Sequence, residues 1–197
     1  MKKLIFTIFA LVFAFGFQAH NTSAQMTGDK MSGNKMNGNP MVGGAAMYKN
    51  KDIVDNAVNS KDHTTLVTAV KAAGLVETLK GKGPFTVFAP TNAAFDALPA
   101  GTVETVLKPE NKAMLTKVLT YHVVAGKMDS KAIMKAIKKG KGKAMLTTVS
   151  GDTLTASMNG SDLVLTDEKG GMSKVTIANV KQSNGVIHVV DTVLMPN

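Results

Sequence analysis

The sequence predicts a domain of the α+β class, in which most helices precede most strands. Between residues 51 and 139, apolar residues recur every three or four positions, as on the buried side of a helix. From residue 144 onward, short runs typical of strands are separated by turn signals such as Asn159-Gly160 and Asn184-Gly185. This segregation favours an α+β fold over a doubly wound parallel sheet.

The predicted helices have apolar side chains along one side and recognisable ends. Gly74 is a natural C-terminal stop, Thr91 is a good N-cap, and Pro109 suits a first helical turn. The predicted helical segments are 51–60, 63–73, 75–80, 92–98, 102–107, 109–120 and 129–139.

One early and six late segments are predicted as strands. The early segment is 84–89, and the late segments are 144–150, 153–158, 163–166, 174–179, 186–190 and 192–195. Because side chains alternate along a strand, Val186 and His188 should share one face of their strand, and Ile187 and Val189 the other.

The N-terminus has the layout of a secretory signal peptide. Lys2 and Lys3 precede an apolar run over residues 4–17, and small residues follow up to Ala24. The run is shorter than the roughly 20 residues that a membrane span needs. We therefore predict a signal peptide over 1–24, cleaved after Ala24, and a secreted protein in the extracellular or periplasmic space. The chain has no cysteine, so its stability must come from an ordinary hydrophobic core.

Residues 25–46 form a Met-, Gly- and Asn-rich segment with a five-residue repeat, Met first and Gly third. Such a composition cannot pack a core and predicts a flexible linker before a domain over 47–197. Two alternatives stay open for the methionines: a thioether ladder for Cu(I), and reversible sacrificial oxidation. The first would make the chain a periplasmic copper-handling or other metal-handling protein.

The charge balance favours anionic surfaces or polymers as partners. The formal charge is +9, and removing Lys2 and Lys3 leaves +7. Every basic residue is lysine, and the predicted mature chain has few aromatic residues. Sequence-specific nucleic-acid binding is not expected, because it normally uses arginine forks and stacking aromatics.

Three segments resemble the signatures of fasciclin domains, and they occur in the expected order. Residues 86–95 resemble the first signature, 119–124 the Tyr-His motif, and 184–196 the second signature. The residues that carry the two signatures are Thr86, Phe88, Pro90, Thr91, Phe95, Asn184, Gly185, His188, Asp191 and Pro196. Taken alone, these motifs make sense mainly as folding signals, since a strand runs into Pro90 and Thr91 caps the next helix.

The resemblance implies a wedge-like β-sandwich with a cluster of helices, in a secreted single-domain protein of bacterial type. It also implies adhesion, matrix association or partner binding, as in periostin-like adhesion domains. Animal members bind integrins partly through the Tyr-His region and an Asp-Ile step before the second signature. Residues 180–183 replace that step here, and an Arg-Gly-Asp motif is impossible without arginine. We therefore expect general surface or matrix association rather than integrin binding.

No catalytic motif is recognisable, so we predict neither an enzyme nor a cofactor. His63, at a predicted helix start, is expected to face solvent. His122 is expected to be buried and hydrogen-bonded to the backbone. Two alternatives for it are a partner contact together with Tyr121 and a metal site together with His188.

Seven lysines and a single acidic residue lie within residues 127–143. On the predicted helix, Lys131, Lys135 and Lys138 or Lys139 lie on the side away from Ile133 and Ile137. A solvated helix face explains this pattern, and so does a docking patch for anionic polysaccharide or membrane headgroups. We predict a monomeric, non-enzymatic interaction module whose candidate partner-binding residues are Tyr121, His122, Lys131, Lys135, Lys138 and Lys139.

Overall fold

The structure is a computed structural model that describes residues 35–36 and 38–197. The predicted signal peptide and the first part of the predicted linker lie outside the described residues. The helices are α1 Ile53–Ala57, α2 Thr64–Ala73, α3 Val76–Lys80, α4 Asn92–Asp96, α5 Thr102–Leu107, α6 Lys112–Tyr121 and α7 Ser130–Lys139, with short 3-10 turns at Lys61–His63 and Pro109–Asn111. Each predicted helix is present, with ends shifted by a few residues.

Thr91 and Gly74 delimit their helices as predicted, and Asp129, predicted as the first residue of a helix, caps that helix. The side chain of Thr91 accepts a hydrogen bond from the backbone N–H of Ala94, and Asp129 does the same for Ala132 at 2.8 Å. Gly74 ends α2 in the left-handed conformation, with φ of 75°. These local contacts satisfy backbone groups that the helix itself leaves free.

The strands are β1 Lys35–Met36, β2 Asn39–Val42, β3 Ala45–Ala46, β4 Phe85–Pro90, β5 Val123–Ala125, β6 Lys143–Thr147, β7 Thr153–Asn159, β8 Asp162–Thr166, β9 Met172–Gln182 and β10 Gly185–Val190. The last seven form one sheet in the order β5-β4-β10-β9-β8-β7-β6. The β4 and β10 strands are parallel, and the other neighbours are antiparallel. The backbone N–H of Val149 donates to the carbonyl of Val123 at 2.7 Å, so the two edges of the sheet meet and the sheet curls into a near-barrel wedge. The predicted α+β class is confirmed.

The predicted strand over 192–195 is wrong. Its backbone N–H groups bind side chains instead of a neighbouring strand: that of Thr192 donates to Ser173 Oγ, and that of Met195 donates to Asp167 Oδ2. Valine and leucine in this segment are buried all the same. Apolar residues in a short run therefore indicated burial correctly and strand pairing incorrectly.

The end of the predicted linker belongs to the folded domain. The β1, β2 and β3 strands pair with one another, and Val42 and Met47 are buried in the core. Gly43 approaches the chain so closely that an added Cβ would lie 2.3 Å from Ser60 Oγ. Its carbonyl accepts a hydrogen bond from the backbone N–H of Lys61. Val42 and Gly43, both inside the predicted linker, thus hold this segment against the domain.

Two apolar clusters form the core. The first lies between the helices α1, α2 and α6 and strands β4 and β10, and it includes Ile53, Leu66, Val70, Phe95, Leu115, Leu119 and Ile187. The second lies under α7 and includes Phe88, Tyr121, Ile133, Ile137, Leu154, Leu165 and Leu194. Because β10 is buried along its whole length, each of its faces contributes to the core.

Candidate binding surface

Helix α7 is held firmly on the sheet at its start and along its buried side. Besides the cap from Asp129, the backbone N–H of Ser130 donates to Asn179 Oδ1 at 2.7 Å, and Asn179 Nδ2 donates back to Ser130 Oγ at 2.7 Å. Ile133 and Ile137 are buried against β6 and β7. Burying two such side chains contributes about 1.5–3 kcal/mol each. The helix is thus a rigid support for the side chains on its outer side.

The outer side of α7 carries Lys131, Lys135, Lys138 and Lys139, which we call the lysine face. All four side chains are exposed. The ion pairs among the described residues involve Lys80, Lys117 and Lys174, so the lysine face keeps its charge available. Lys138 and Lys139 lie in the last turn, where the helix dipole favours cations.

The turn after α7 adds charge close to this face. An added Cβ on Gly140 would lie 1.9 Å from the carbonyl oxygen of Lys143, so only glycine fits there. Lys141 has a φ of 55°, in the left-handed region that non-glycine residues seldom adopt. The side chains of Lys141 and Lys143 are exposed, as is that of Lys127 before the helix. The sequence cluster is therefore a surface cluster in the folded protein.

Tyr121 and His122 do not belong to this surface, which corrects their prediction as partner-binding residues. Tyr121 is 0% exposed, and its hydroxyl donates to the carbonyl of Thr153 at 2.9 Å. Burial raises the pKa of Tyr121 to about 12. His122 is 3% exposed. A partner could reach neither side chain without opening the core.

The contacts of His122 define its protonation state. Its Nδ1–H donates to the carbonyl of Val118 at 2.8 Å, and its Nε2 accepts from the backbone N–H of Leu194 at 3.1 Å. Burial lowers the pKa of His122, while the Val118 carbonyl and Asp167 oppose the shift. His122 is buried and hydrogen-bonded to the backbone, as expected. Its two bonds connect the end of α6 to the chain after β10.

His188 is buried in the centre of β10, where Phe88 stacks on its ring with centroids 5.6 Å apart. Its Nε2–H donates to the carbonyl of Met128 at 2.9 Å. Burial lowers the pKa of His188 as well. The described residues hold no cluster of three or more His, Cys, Asp or Glu side chains arranged for a metal ion. The structure thus gives no support to a metal site built on His122 and His188.

His63 was predicted to face solvent, and that prediction is wrong. The 3-10 turn before α2 rotates the ring inward, where it is 3% exposed and its Nδ1 lies 2.8 Å from Ser60 Oγ. Burial lowers its pKa, against the effects of the Ala89 carbonyl and Asp62. A 3-10 turn has three residues per turn, so its side chains point in other directions than the α-helical repeat predicts.

The first signature joins β4 to its surroundings. Thr86 Oγ1 donates to the carbonyl of Gly126 at 2.6 Å and accepts from the backbone N–H of Met128 at 2.9 Å. Pro90 ends β4 and is buried, and Thr91 caps α4. These contacts fix the fold and expose nothing to a partner.

In the second signature, Asn184 links three elements. Its Oδ1 accepts from the backbone N–H of Ile53 at 3.1 Å, and its Nδ2 donates to the carbonyls of Leu79 and Gly81. An added Cβ on Gly185 would lie 2.2 Å from the carbonyl oxygen of Phe85, so the parallel pairing of β10 with β4 requires glycine.

The end of the second signature is tied down in the same way. Asp191 accepts from the backbone N–H of Lys174 at 2.8 Å, and Pro196 is buried. Sequence reasoning missed the neighbouring Asp167, which accepts from the backbone N–H groups of Gly171 and Met195. The signal that could have found Asp167 is the Gly-Gly pair at 170–171, because an added Cβ on Gly171 would lie 2.5 Å from Asp167 Oδ2.

Comparison with known proteins identifies the family. The family model described as Fasciclin domain matches residues 61–196, more than half of the chain. The chain belongs to the fasciclin family. Protein sll1483 of Synechocystis sp. is 46% identical to this chain over 157 residues, with 79% of each chain covered. The cell surface glycolipoprotein MPB83 of Mycobacterium bovis is 35% identical over 159 residues, covering 78% of this chain and 64% of that protein.

A solved fasciclin-domain structure confirms the predicted fold. The FAS1 domain pair of the insect cell adhesion molecule fasciclin I matches with a TM-score of 0.64 at 16% identity, covering 74% of this chain and 51% of that chain. At this identity the match supports the fold alone. The comparisons give no support to the metal-handling alternative. Within the part of the chain that the structure describes, none of the helices combines the length and apolar character that crossing a bilayer requires.

Proposed function

We propose that this fasciclin-family protein is an exported, non-enzymatic interaction module that binds anionic polymers of a cell surface, envelope or matrix through its lysine face. The observation that carries the proposal is a set of four exposed lysines that make no ion pair among the described residues. They lie on a helix that is capped and packed along its other side. An adhesion molecule and a cell surface glycolipoprotein among the similar proteins are consistent with it.

The size of the lysine face favours a polymer over a single small anion. Lys131 and Lys139 are eight residues apart, which is about 12 Å along a helix. Lys127, Lys141 and Lys143 extend the positive surface beyond both ends of α7. Several charges in a row attract a chain that carries repeated negative charges, and the attraction is strongest when salt is low.

Export is the second part of the proposal. The signal-peptide layout of residues 1–24 and the complete absence of cysteine suit a protein that folds outside the cytoplasm by core packing alone. Expression of the full chain in a bacterial host, followed by mass measurement of the periplasmic and medium fractions, tests it. We expect a product that begins at Gln25, and recovery of the uncleaved chain from the cytoplasm alone would contradict export.

Retention on immobilised heparin, used as a sulfated polysaccharide probe, tests the lysine face. One variant carries Lys131→Gln, Lys135→Gln, Lys138→Gln and Lys139→Gln. The control carries Lys82→Gln, Lys108→Gln, Lys169→Gln and Lys181→Gln, four exposed lysines elsewhere that make no ion pair among the described residues. The two variants have the same net charge. We expect the first to elute at clearly lower salt than the control, and equal elution would show that only total charge matters.

A further inference from the structure

The chain contains three Asn-Gly steps, at residues 37–38, 159–160 and 184–185. Asn37 lies outside the described residues. The other two steps lie at hairpin turns, the first between β7 and β8 and the second between β9 and β10. Asparagine followed by glycine is prone to deamidation, because glycine has no side chain to hinder its backbone nitrogen or to restrict its rotation. The two turns thus place the same reactive dipeptide in two environments.

The turn at 159–160 leaves its asparagine accessible. Asn159 and Gly160 are both exposed. Asn159 is paired with Asp162, so Gly160 and Ser161 form a two-residue loop, in which Gly160 has a φ of 61°, as in a type II′ turn. An added Cβ on Gly160 would meet no atom within 4 Å, and the N–H of Gly160 donates to no backbone carbonyl among the described residues. The nitrogen that follows Asn159 is therefore free to approach its side chain.

The turn at 184–185 holds its asparagine in place. Asn184 is 8% exposed, its Oδ1 accepts from the backbone N–H of Ile53, and its Nδ2 donates to two carbonyls. Its backbone carbonyl accepts from the N–H of Phe85 at 3.0 Å. Gly185 lies directly against the carbonyl of Phe85. Rotation of this asparagine toward the next nitrogen would break several bonds in a buried site.

We propose that Asn159 is a site of spontaneous deamidation, and that the folded protein protects Asn184 from the same reaction. The backbone nitrogen of Gly160 loses its proton and attacks Cγ of Asn159. A bond forms between these two atoms, the bond from Cγ to Nδ2 breaks, and ammonia leaves. Water then opens the resulting imide ring at either carbonyl carbon and yields aspartate or isoaspartate. The net reaction consumes one water and releases one ammonia, and it is independent of polymer binding.

The modification changes both the charge and the backbone at the tip of this hairpin. A carboxylate at position 159 would lie opposite Asp162, and like charges directly opposite each other in a sheet are destabilising. Asp162 has a counter-charge in Lys174, whose Nζ lies 2.7 Å from Oδ2. Isoaspartate also adds one carbon atom to the backbone, in a hairpin whose register depends on the length of its loop. We therefore expect the converted protein to have a lower thermal midpoint.

Peptide mass spectrometry of the purified protein tests the proposal. The protein is incubated at slightly alkaline pH, where the attacking nitrogen loses its proton more readily. Trypsin then releases the two sites in separate peptides, 144–169 and 182–197, and fragmentation locates the exchange of NH2 for OH. A sample digested without incubation corrects for conversion during digestion.

We expect Asn159 to convert at least about tenfold faster than Asn184, because the buried turn must open before Asn184 can react. Conversion of both sites at the same rate in the folded protein, or no conversion at Asn159, would overturn the proposal.

The same incubation in urea separates the effect of the fold from that of the flanking sequence. Both Asn-Gly steps are exposed in the unfolded chain, so we expect Asn159 and Asn184 to convert at similar rates there. If Asn184 remained as slow in urea as in the folded protein, protection by its buried contacts would be refuted.

Two variants test the consequence for the hairpin without waiting for conversion. Asn159→Asp supplies the aspartate product directly, and Asn159→Gln is the matched control, because it keeps an uncharged amide. We expect a lower thermal midpoint in Asn159→Asp than in Asn159→Gln. Adding Asp162→Asn to both variants should remove that difference, because the opposing charge is gone. Equal midpoints of Asn159→Asp and Asn159→Gln would overturn the expected repulsion.

Discussion

The Nε2 atom of His122 accepts a hydrogen bond from the backbone N–H of Leu194, across 72 positions of sequence. Together with the bond from Nδ1–H to the carbonyl of Val118, this fixes the neutral tautomer that carries its proton on Nδ1. A proton on Nε2 would remove the acceptor that Leu194 needs. The Tyr-His motif is thus a structural joint inside the domain.

The first prediction concerns acid stability. Burial lowers the pKa values of His63, His122 and His188 in the folded protein. The unfolded chain binds protons at the ordinary value near 6.5, so below that pH it holds more protons than the folded chain. The free energy of unfolding should therefore fall as pH falls below that value, by at most about 1.4 kcal/mol per pH unit for each such histidine.

Urea unfolding at several pH values between 7.5 and 5 measures this slope. The variant His122→Gln should be less stable at neutral pH, because the bond to Leu194 is disturbed, but its stability should depend less steeply on pH. An unchanged slope in the variant would show that His122 is not one of the groups responsible.

The second prediction separates packing from partner contact at Tyr121. Tyr121→Phe keeps the buried ring and removes the hydroxyl that donates to the carbonyl of Thr153. We expect a loss of about 0.5–1.5 kcal/mol in the free energy of unfolding, because a partly buried hydrogen bond is removed. Retention on heparin should be unchanged. Reduced retention without a loss of stability would indicate that Tyr121 contributes to the binding surface.

The third prediction concerns Asn184, the residue that joins α1, the end of α3 and β10. Asn184→Ala removes three hydrogen bonds in a buried site, and we expect a loss of about 3 kcal/mol or more. Asn111→Ala is a matched control, because Asn111 makes a single side-chain bond, to the carbonyl of Thr105, in an exposed place. The control should lose less than about 1 kcal/mol. Similar losses in chemical unfolding of both variants would contradict the joining role.

The fourth prediction concerns salt. A lysine near an anionic surface contributes about 1 kcal/mol to binding at low salt. Changing all four lysines of the lysine face to glutamine should therefore weaken heparin binding by at least about tenfold at low ionic strength. The difference from the unchanged protein should shrink as NaCl rises, because salt screens exposed charges. A difference that persists at high salt would indicate a non-electrostatic contact. Titration calorimetry in two salt concentrations measures it.

The helices and the family signatures could be predicted because their signals are local. Thr91, Asp129 and Gly74 act on residues within one turn, so their caps follow from neighbouring positions. Apolar repeats likewise identified Ile133 and Ile137 as the buried side of α7, and the lysines as its exposed side. The ends of the elements moved by a few residues, because 3-10 turns and side-chain contacts compete with regular structure there.

By itself the sequence determined the α+β class, the number and order of the helices, a core without disulfides and the charged outer side of α7. Only the tertiary structure decided that His63, Tyr121 and His122 are buried, that residues 192–195 are held by side chains, and that the segment around Val42 completes the core. Burial depends on which distant segments pack against one another, and a local pattern of apolar residues does not specify that packing.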